Sequence, residues 1–248
     1  VSSNVTIKDQ LAILQDQKIW KYMQYYSLVF GGFVALSLWM TKYYINEYGF
    51  ELTTAALMAS IFVLPSGVIR ALGGWFSDKY GAYKVTWWVM WVSVVCLFFM
   101  SYPQTALIVQ TTNGEAMFDI SLNIWVFTAL LFVLGIAWGF GKASVFKFLS
   151  DEYPENIGVA SGIVGLAGGL GGFLLPIMFG VLIDFTHINS VIFMLLYGAA
   201  GVSLILMHFT FSKEENERKI HEANETVLEE YKNTHGEEAL LSVRAILE

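Results

Sequence analysis

Two basic residues, Arg70 and Lys142, stand inside long apolar stretches of the sequence, where a charge is costly unless it has a partner. Arg70 precedes the polar break at Asp78 by eight residues, which is about 12 Å along a helix. Its guanidinium offers two parallel N–H donors that fit two oxygens of a planar oxyanion. Because no Asp or Glu lies at a similar depth in these stretches, the expected partner of Arg70 is an anion.

Both cations also have a purely structural interpretation. Arg70 could bind the carbonyl groups at the end of a neighbouring helix, or an acidic side chain from sequence outside this chain. Lys142 lies five residues from Lys147, about 8 Å along a helix, so its long side chain could reach the polar edge by snorkelling. The functional alternatives for Lys142 are a cation on a substrate path or a contact in a gate.

The composition and the spacing of apolar segments predict an all-α integral membrane protein. Of the 248 residues, 56% are hydrophobic and only 14% are charged, whereas a soluble domain carries about 25% charged residues. Each apolar segment is near or above the ~20 residues that cross a bilayer as a helix. The six predicted spans are residues 20–47, 53–77, 84–102, 120–149, 158–183 and 190–211.

The basic residues predict the orientation, since they collect on the cytoplasmic side of membrane proteins. With six spans both termini lie on one side, and the opposite side carries Lys42 alone. We therefore expect residues 1–19 and the acidic tail, 212–248, to be cytoplasmic and the 103–119 loop to face out. The basic residues on the predicted cytoplasmic side are Lys18, Lys21, Lys79, Lys84, Lys147, Lys213, Arg218 and Lys219.

Several functional classes have no support in the sequence. The single cysteine, Cys96, forms no internal disulfide and no cysteine metal site, and the four histidines have no ligand spacing. There is no nucleophile–base pair, phosphate-binding loop or basic stripe. We therefore expect no enzyme activity, no cofactor, no metal and no nucleic acid partner, and the partner that the composition implies is the lipid bilayer.

A glycine-rich run, GIVGLAGGLGGFLLP, occupies residues 162–176. Glycine costs a helix about 1 kcal/mol relative to alanine, so the run needs a compensating role. Spacing by four and three residues places most of these glycines on one helix face, where another helix can approach closely. Two of them, Gly168 and Gly171, lie off that face. The stripe consists of Gly158, Gly162, Gly165, Gly169 and Gly172, followed by Pro176.

The polar break after Arg70 contains the spacing Gly74-x-x-x-Asp78-x-x-Gly81-x-x-Lys84. This resembles the loop motif of the major facilitator superfamily, which joins the second and third helices of each six-helix half on the cytoplasmic side. Here it joins the second and third predicted spans. Asp78 can cap or salt-bridge a neighbouring helix, and Gly81 allows a tight turn. The motif implies gating and stability and identifies no substrate.

Further stretches within residues 20–211 resemble the nitrate/nitrite porter (NarK-like) family of that superfamily. They are the Phe30–Trp39 run, Val68-Ile69-Arg70, the Gly139–Lys147 run and the glycine run. The resemblance implies that Arg70 binds nitrate or nitrite and that other residues line the same cavity. Ordinary packing is the alternative for the aromatic residues and the glycines. The implied lining residues are Tyr26, Phe30, Lys142, Gly165, Gly168 and Gly169.

The resemblance further implies the C-terminal six-helix half of a twelve-helix transporter, built as a 3+3 inverted repeat. Breakers in the second and fifth spans, Pro65 and Pro176, favour a site near the midplane. Transport by alternating access would need the N-terminal half and would occur in a bacterial inner membrane. Proton symport and nitrate/nitrite exchange, with nitrate assimilation as the expected role, both remain open, and Lys142 is the candidate proton carrier. The alternatives are a transporter of another small anion and a six-helix subunit that does not transport.

Overall fold

The computed structural model of the protein describes residues 12–112, 114–210 and 212. Within these residues, six long helices follow a short 3-10 helix, Ala12–Gln15. All six are long and apolar enough to cross a membrane, so the prediction of a multi-pass membrane protein with six spans is confirmed. The helices are α1 Gln17–Tyr48, α2 Leu52–Tyr80, α3 Ala82–Met100, α4 Ile124–Glu152, α5 Ile157–Thr186 and α6 Val191–Thr210.

The chain divides into two compact units, residues 1–204 and residues 205–248. Of the second unit, the structure describes residue 212 and residues 205–210, which end α6. The remainder of the acidic tail, 213–248, lies outside the described residues, as do residues 1–11. The predicted boundaries between the N-terminal segment, the spans and the tail therefore stay predictions.

Capping residues set several helix ends. The Asp16 carboxylate accepts a hydrogen bond of 2.8 Å from the Lys18 backbone N–H at the start of α1. The Asn123 side chain accepts one of 2.9 Å from the Trp125 N–H at the start of α4. Gly81 alone separates α2 from α3, with a φ of 88° that side-chain-bearing residues rarely adopt. Of these positions, Gly81 lies in a short polar break of the sequence, whereas Asn123 lies within the predicted 120–149 span.

A π-helical segment, Ser27–Gly32, interrupts the α-helical hydrogen bonding of α1. At this segment the backbones of α1 and α5 almost touch. A Cβ built on Gly31 would lie 2.8 Å from the Gly171 carbonyl carbon, which is closer than real Cβ atoms come. Glycine on both helices is what permits the crossing, as small residues do in membrane helix pairs.

A second close crossing joins α4 to α2. A Cβ on Gly135 would lie 2.7 Å from the Phe62 carbonyl oxygen, and one on Gly139 would lie 2.9 Å from the Ser66 carbonyl oxygen. The two glycines are one turn apart, so they share a face of α4. The backbones of α2 and α4 are therefore in direct contact, which restricts the positions of the side chains between the two helices.

Buried polar pairs tie α3 to the other face of α4. The Trp138 indole N–H donates to the Ser93 hydroxyl at 2.9 Å. The Thr86 hydroxyl donates to the Ser144 hydroxyl at 2.8 Å. Because both pairs are buried, their polar atoms are satisfied without water, and α4 is held between α2 and α3.

The segment between α3 and α4 is not the plain loop that the sequence analysis expected. It forms an antiparallel β-hairpin of β1, Thr105–Thr111, and β2, Gly114–Ile120. The predicted fold class, a bundle of six membrane-spanning helices, is confirmed, and the hairpin is an additional element between two of the spans. The sequence contains a signal, since the dipeptide Asn113-Gly114 is typical of a two-residue hairpin turn.

The proline residues do not break the spans that contain them. Helix α2 continues through Pro65, and α5 continues through Pro176. The irregular backbone lies instead in the π-helical segment of α1, beside Tyr26 and Phe30. π-helical turns recur at functional sites. We therefore take this segment, and not the two prolines, as the backbone irregularity that indicates the candidate site.

Candidate functional site

Arg70 lies on an exposed face of α2. The carbon of its guanidinium is 5.8 Å from the centroid of the Phe146 ring on α4. The Tyr26 hydroxyl of α1 lies within hydrogen-bonding reach of the same guanidinium. Among the described residues, no Asp or Glu forms an ion pair with Arg70. The guanidinium is therefore oriented by aromatic groups, and no carboxylate of the described residues neutralises it.

Three aromatic rings form the wall beside Arg70. The Tyr26 ring stacks on the Phe30 ring, with centroids 5.1 Å apart and planes 3° from parallel. The Phe146 ring meets the Tyr26 ring edge-on at 5.0 Å. Tyr26 is only 4% exposed, so packing fixes its ring while its hydroxyl points toward Arg70. Tyr26 and Phe30 thus lie side by side, across the start of the π-helical segment, and their role as cavity-lining residues stays a prediction.

Lys142 points into the helix bundle, and its side chain does not snorkel. The residue is 4% exposed. Its ammonium donates a hydrogen bond of 2.9 Å to the Ser66 hydroxyl and lies 3.5 Å from the centroid of the Phe33 ring. It is also close enough to Arg70 for the two charges to repel. The bundle therefore holds two neighbouring positive groups from α2 and α4.

The glycines of α5 divide into two groups. A Cβ on Gly168 would lie 2.5 Å from the Tyr26 ring and 3.0 Å from the Phe30 ring. Gly168 therefore lets the aromatic wall approach α5. A Cβ on Gly165 or Gly169 would meet no atom within 4 Å, so these two glycines leave a bare helix face. The glycines that pack inside the described bundle are thus mostly those off the predicted stripe.

The loop motif places an ion pair between α2 and α4. The Lys147 ammonium lies 3.3 Å from an Asp78 carboxylate oxygen and 2.9 Å from an Asp151 carboxylate oxygen. Gly81 supplies the turn, as its φ of 88° shows. The Asp78 contact matches the expectation that this residue bridges to a neighbouring helix.

The other two residues of the motif do not take part in this ion pair. Gly74 has no neighbour within 4 Å of an added Cβ. Lys84 is exposed in the first turn of α3, and it has no carboxylate partner in the described part of the chain. The structure therefore brings Arg70, Tyr26, Phe30, Lys142 and Gly168 together and leaves the motif residues nearer the helix ends.

Aromatic residues fill the bundle at the end of α1 far from Asp16. Tyr43 stacks on Phe127 with ring centroids 5.0 Å apart, and Phe193 meets Tyr43 edge-on at 5.1 Å. The Tyr44 and Thr128 hydroxyls share a buried hydrogen bond of 2.8 Å. This packing fills that end of the helix bundle with a buried aromatic core.

The sequence analysis missed three residues of the site, Ser66, Phe33 and Phe146. Ser66 had a usable signal, because it is the single hydroxyl in the sequence between residues 61 and 76 and lies one turn from Arg70. The two phenylalanines lie within stretches that resemble the porter family, but apolar aromatics are abundant in every span, so their residue type did not single them out. Only the packing of α1 and α4 shows that they face the cations.

Comparison with known proteins decides the family. The model of the Major Facilitator Superfamily matches residues 26–246. The chain belongs to this superfamily.

Several curated relatives of this superfamily member are named as nitrate or nitrite transporters. A probable nitrate/nitrite antiporter NarK1 of Thermus thermophilus is 33% identical over 83% of the chain and 46% of the relative. A nitrite extrusion protein of Bacillus subtilis (strain 168) is 25% identical over 85% of the chain and 49% of the relative. A probable nitrate transporter NarT of Staphylococcus haemolyticus is 27% identical, over 79% of the chain and 46% of the relative. The chain spans about half the length of these relatives.

Solved structures of the superfamily share the fold. FucP, crystallised in the outward conformation, superposes with a TM-score of 0.63 at 14% identity, over 84% of this chain and 47% of FucP. Tetrameric PepTSo2 superposes with a TM-score of 0.58 at 14% identity, over 93% of this chain and 46% of that one. The fold and the relatives are those of major facilitator transporters and not of enzymes, and the resemblance to nitrate/nitrite porters is confirmed.

Proposed function

We propose that this chain is part of a secondary transporter for nitrate or nitrite, in which Arg70 binds the anion. One observation carries the proposal: the Arg70 guanidinium is held at the bundle by aromatic groups and has no carboxylate partner among the described residues. A guanidinium that is held in place and has no carboxylate partner can bind an oxyanion through its N–H groups. The names of the curated relatives supply the substrate class.

The chemistry of the site suits a small planar anion. Two N–H groups of Arg70 can meet two oxygens of nitrate at once, and a charge-assisted bond of this kind is about twice as strong as a neutral one. Lys142 has three donors, of which Ser66 accepts one, so its positive charge can be shared with the bound anion. The stacked rings of Tyr26 and Phe30 would form one wall beside the bound anion.

Charge repulsion gives a plausible basis for alternating access. Arg70 and Lys142 repel each other when the site is empty, which favours a state that lets water screen them. A bound anion reduces that repulsion and favours closure around the site. Both nitrate/nitrite exchange and proton-coupled uptake are compatible with this step, and Lys142 is the candidate proton carrier for the second.

The remaining wall of the site would come from another six-helix half. The chain matches about half of each relative, and Gly165 and Gly169 leave a bare face on α5. Midplane binding sites in this class of transporter lie between repeats, so a partner half would face Arg70 across the cavity. The basic residues favour an orientation with both ends of this segment in the cytoplasm, and we propose a bacterial inner membrane as its location.

Uptake of labelled nitrate by the full-length protein tests the proposal. Arg70→Lys keeps the charge but removes the planar fork, and we expect nitrate uptake to fall about ten-fold or more. Lys42→Arg is the control. Lys42 lies near the C-terminal end of α1, away from Arg70, so this variant should transport normally.

Each failure points to a different alternative. Normal uptake by Arg70→Lys would remove the arginine from the mechanism. If the protein takes up other small anions but not nitrate, the proposed substrate is wrong and one of those anions takes its place. Absence of any transport, together with an upstream reading frame that encodes no further spans, would favour a subunit that does not transport.

A further inference from the structure

A groove of about 410 Å³ lies between α2 and α3, with α4 as its floor. That volume falls within the range of about 300–1,000 Å³ typical of small-molecule sites. The groove contains none of the residues around Arg70, so it is separate from the proposed anion site. Its walls are apolar and aromatic, including Phe76, Tyr80, Trp88, Val92, Val133 and Phe140.

The groove extends into the membrane-spanning part of the bundle. It follows α3 from Lys84 to Val92, a distance of about 12 Å along the helix. Trp88 is 68% exposed and Val133 is 44% exposed, so the walls are open at the surface of the described helices. At that depth an open apolar wall is suited to a hydrocarbon chain.

One end of the groove is positive. Lys84 lines it, is exposed, and has no carboxylate partner in the part of the chain that the structure describes. A second ammonium, that of Lys79, lies 5.3 Å from the centroid of the Tyr80 ring, and that ring is part of the wall. The acidic residue nearest in sequence to Lys79 and Lys84 is Asp78, and its carboxylate pairs with Lys147. It therefore does not neutralise both lysines.

We propose that this groove binds a glycerophospholipid with a net negative head group. Its phosphate lies at Lys84 and Lys79, and one acyl chain lies against Trp88, Val92 and Val133. The charge order matches such a lipid, because basic pockets between membrane helices bind anionic head groups while the apolar groove receives the chain. Tyr80 and Trp88 suit the boundary between head group and chain. The lipid would bridge α2, α3 and α4 next to the Asp78–Lys147 ion pair.

Native mass spectrometry of the purified full-length protein tests the site. Phosphatidylglycerol and phosphatidylcholine with the same chains are titrated separately. We expect phosphatidylglycerol to bind more tightly, and Lys84→Gln to weaken it about five-fold with little change for phosphatidylcholine. Lys84→Arg should bind as the unaltered protein does, and so should the control Lys42→Gln, which removes a lysine stacked on Trp39 at the other end of the bundle.

A groove-filling change tests the acyl-chain part separately. Val133→Trp should reduce the binding of both lipids, whereas Val181→Trp, at an exposed valine of α5 outside the groove, should not. Equal binding of the two lipids, or equal binding by Lys84→Gln and the unaltered protein, would overturn the proposal.

A second measurement needs no variant. Phosphatidylglycerol with a photoreactive group on one chain should label residues 85–92 and 133–140 of the unaltered protein. Labelling confined to other helices would refute the site, including the case in which another part of the protein covers the groove.

Discussion

The Lys142 ammonium donates a hydrogen bond of 2.9 Å to the Ser66 hydroxyl inside the helix bundle. This bond joins α4 to α2 one turn from Arg70, and the face of the Phe33 ring covers the ammonium from a third side. A buried cation without a carboxylate is costly, and a hydroxyl and a ring face compensate only part of that cost. An anion bound at Arg70 would offset the rest of that cost, because its negative charge would also attract the Lys142 ammonium.

Replacing Ser66 tests how much this hydrogen bond contributes. We expect Ser66→Ala to lower the free energy of unfolding by about 1–3 kcal/mol, because the Lys142 ammonium loses its hydroxyl partner. Thermal unfolding in detergent measures the change. Ser60→Ala is the matched control, since the Ser60 hydroxyl lies on the same helix and is exposed.

The double variant distinguishes loss of the bond from loss of packing. Adding Lys142→Met to Ser66→Ala removes the buried charge and should recover most of the lost stability. An equal loss in the single and double variants would assign the effect to the missing hydroxyl alone.

The Asp16–Tyr153 hydrogen bond outside the spans predicts a pH dependence. The Tyr153 hydroxyl donates to the Asp16 carboxylate at 2.6 Å. Burial would raise the pKa of Asp16, but this bond and the one from the Lys18 N–H outweigh burial and lower that pKa. A lowered pKa in the folded state means stability that is present above about pH 3.9 and lost as the pH falls through the folded value.

Burial and the same hydrogen bond raise the pKa of Tyr153, so its contribution persists to alkaline pH. We expect Tyr153→Phe to lower the unfolding temperature at pH 7 and to have a diminishing effect as the pH falls toward 3. Unfolding scans of both proteins across that range make the comparison. A difference that stays constant with pH would exclude the ionised Asp16 as its source.

Gly81 should tolerate no side chain, although space is available. An added Cβ would meet no atom within 4 Å, so the constraint is the backbone, with φ 88° and ψ 142°. We expect Gly81→Ala to lower the free energy of unfolding by about 1–3 kcal/mol. Gly74→Ala, in the interior of α2 and equally open, should be neutral or slightly stabilising because alanine favours a helix. Similar unfolding temperatures for the two variants would contradict the backbone argument.

The spans and the two cations could be predicted because each depends on a local property. Hydropathy over about 20 residues marks a span, and a charge within it is conspicuous in any sequence. The predicted 120–149 span begins four residues before α4, where β2 ends, because apolar strand residues extended the hydropathy signal.

The partners of the cations could not be predicted, because they depend on how the helices rotate. Whether Lys142 snorkels or turns inward follows from the close approach of α2 and α4 at Gly135 and Gly139. The π-helical segment changes the rotation of α1 relative to a regular helix, which brings Tyr26 and Phe30 to Gly168. When every face of a helix is apolar, hydrophobic periodicity predicts neither the inward turn of Lys142 nor the rotation of α1.

Gly168 and Gly169 offer a matched pair, because they are adjacent on α5 and differ in what surrounds them. A Cβ on Gly168 would press on the Tyr26 and Phe30 rings, whereas one on Gly169 would meet no atom within 4 Å. We expect Gly168→Ala to cost about 1–3 kcal/mol of stability by overpacking.

The same substitution should also affect the anion site, because displacing the Tyr26 ring moves its hydroxyl relative to Arg70. In nitrate uptake assays of the full-length protein, Gly168→Ala should raise the KM by several-fold. Gly169→Ala should keep the stability of the six-helix unit. If it nevertheless reduces transport, the bare face of α5 meets a partner helix outside the described residues, which agrees with the proposed second half. If Gly168→Ala leaves both unfolding and KM unchanged, the aromatic wall does not position Arg70.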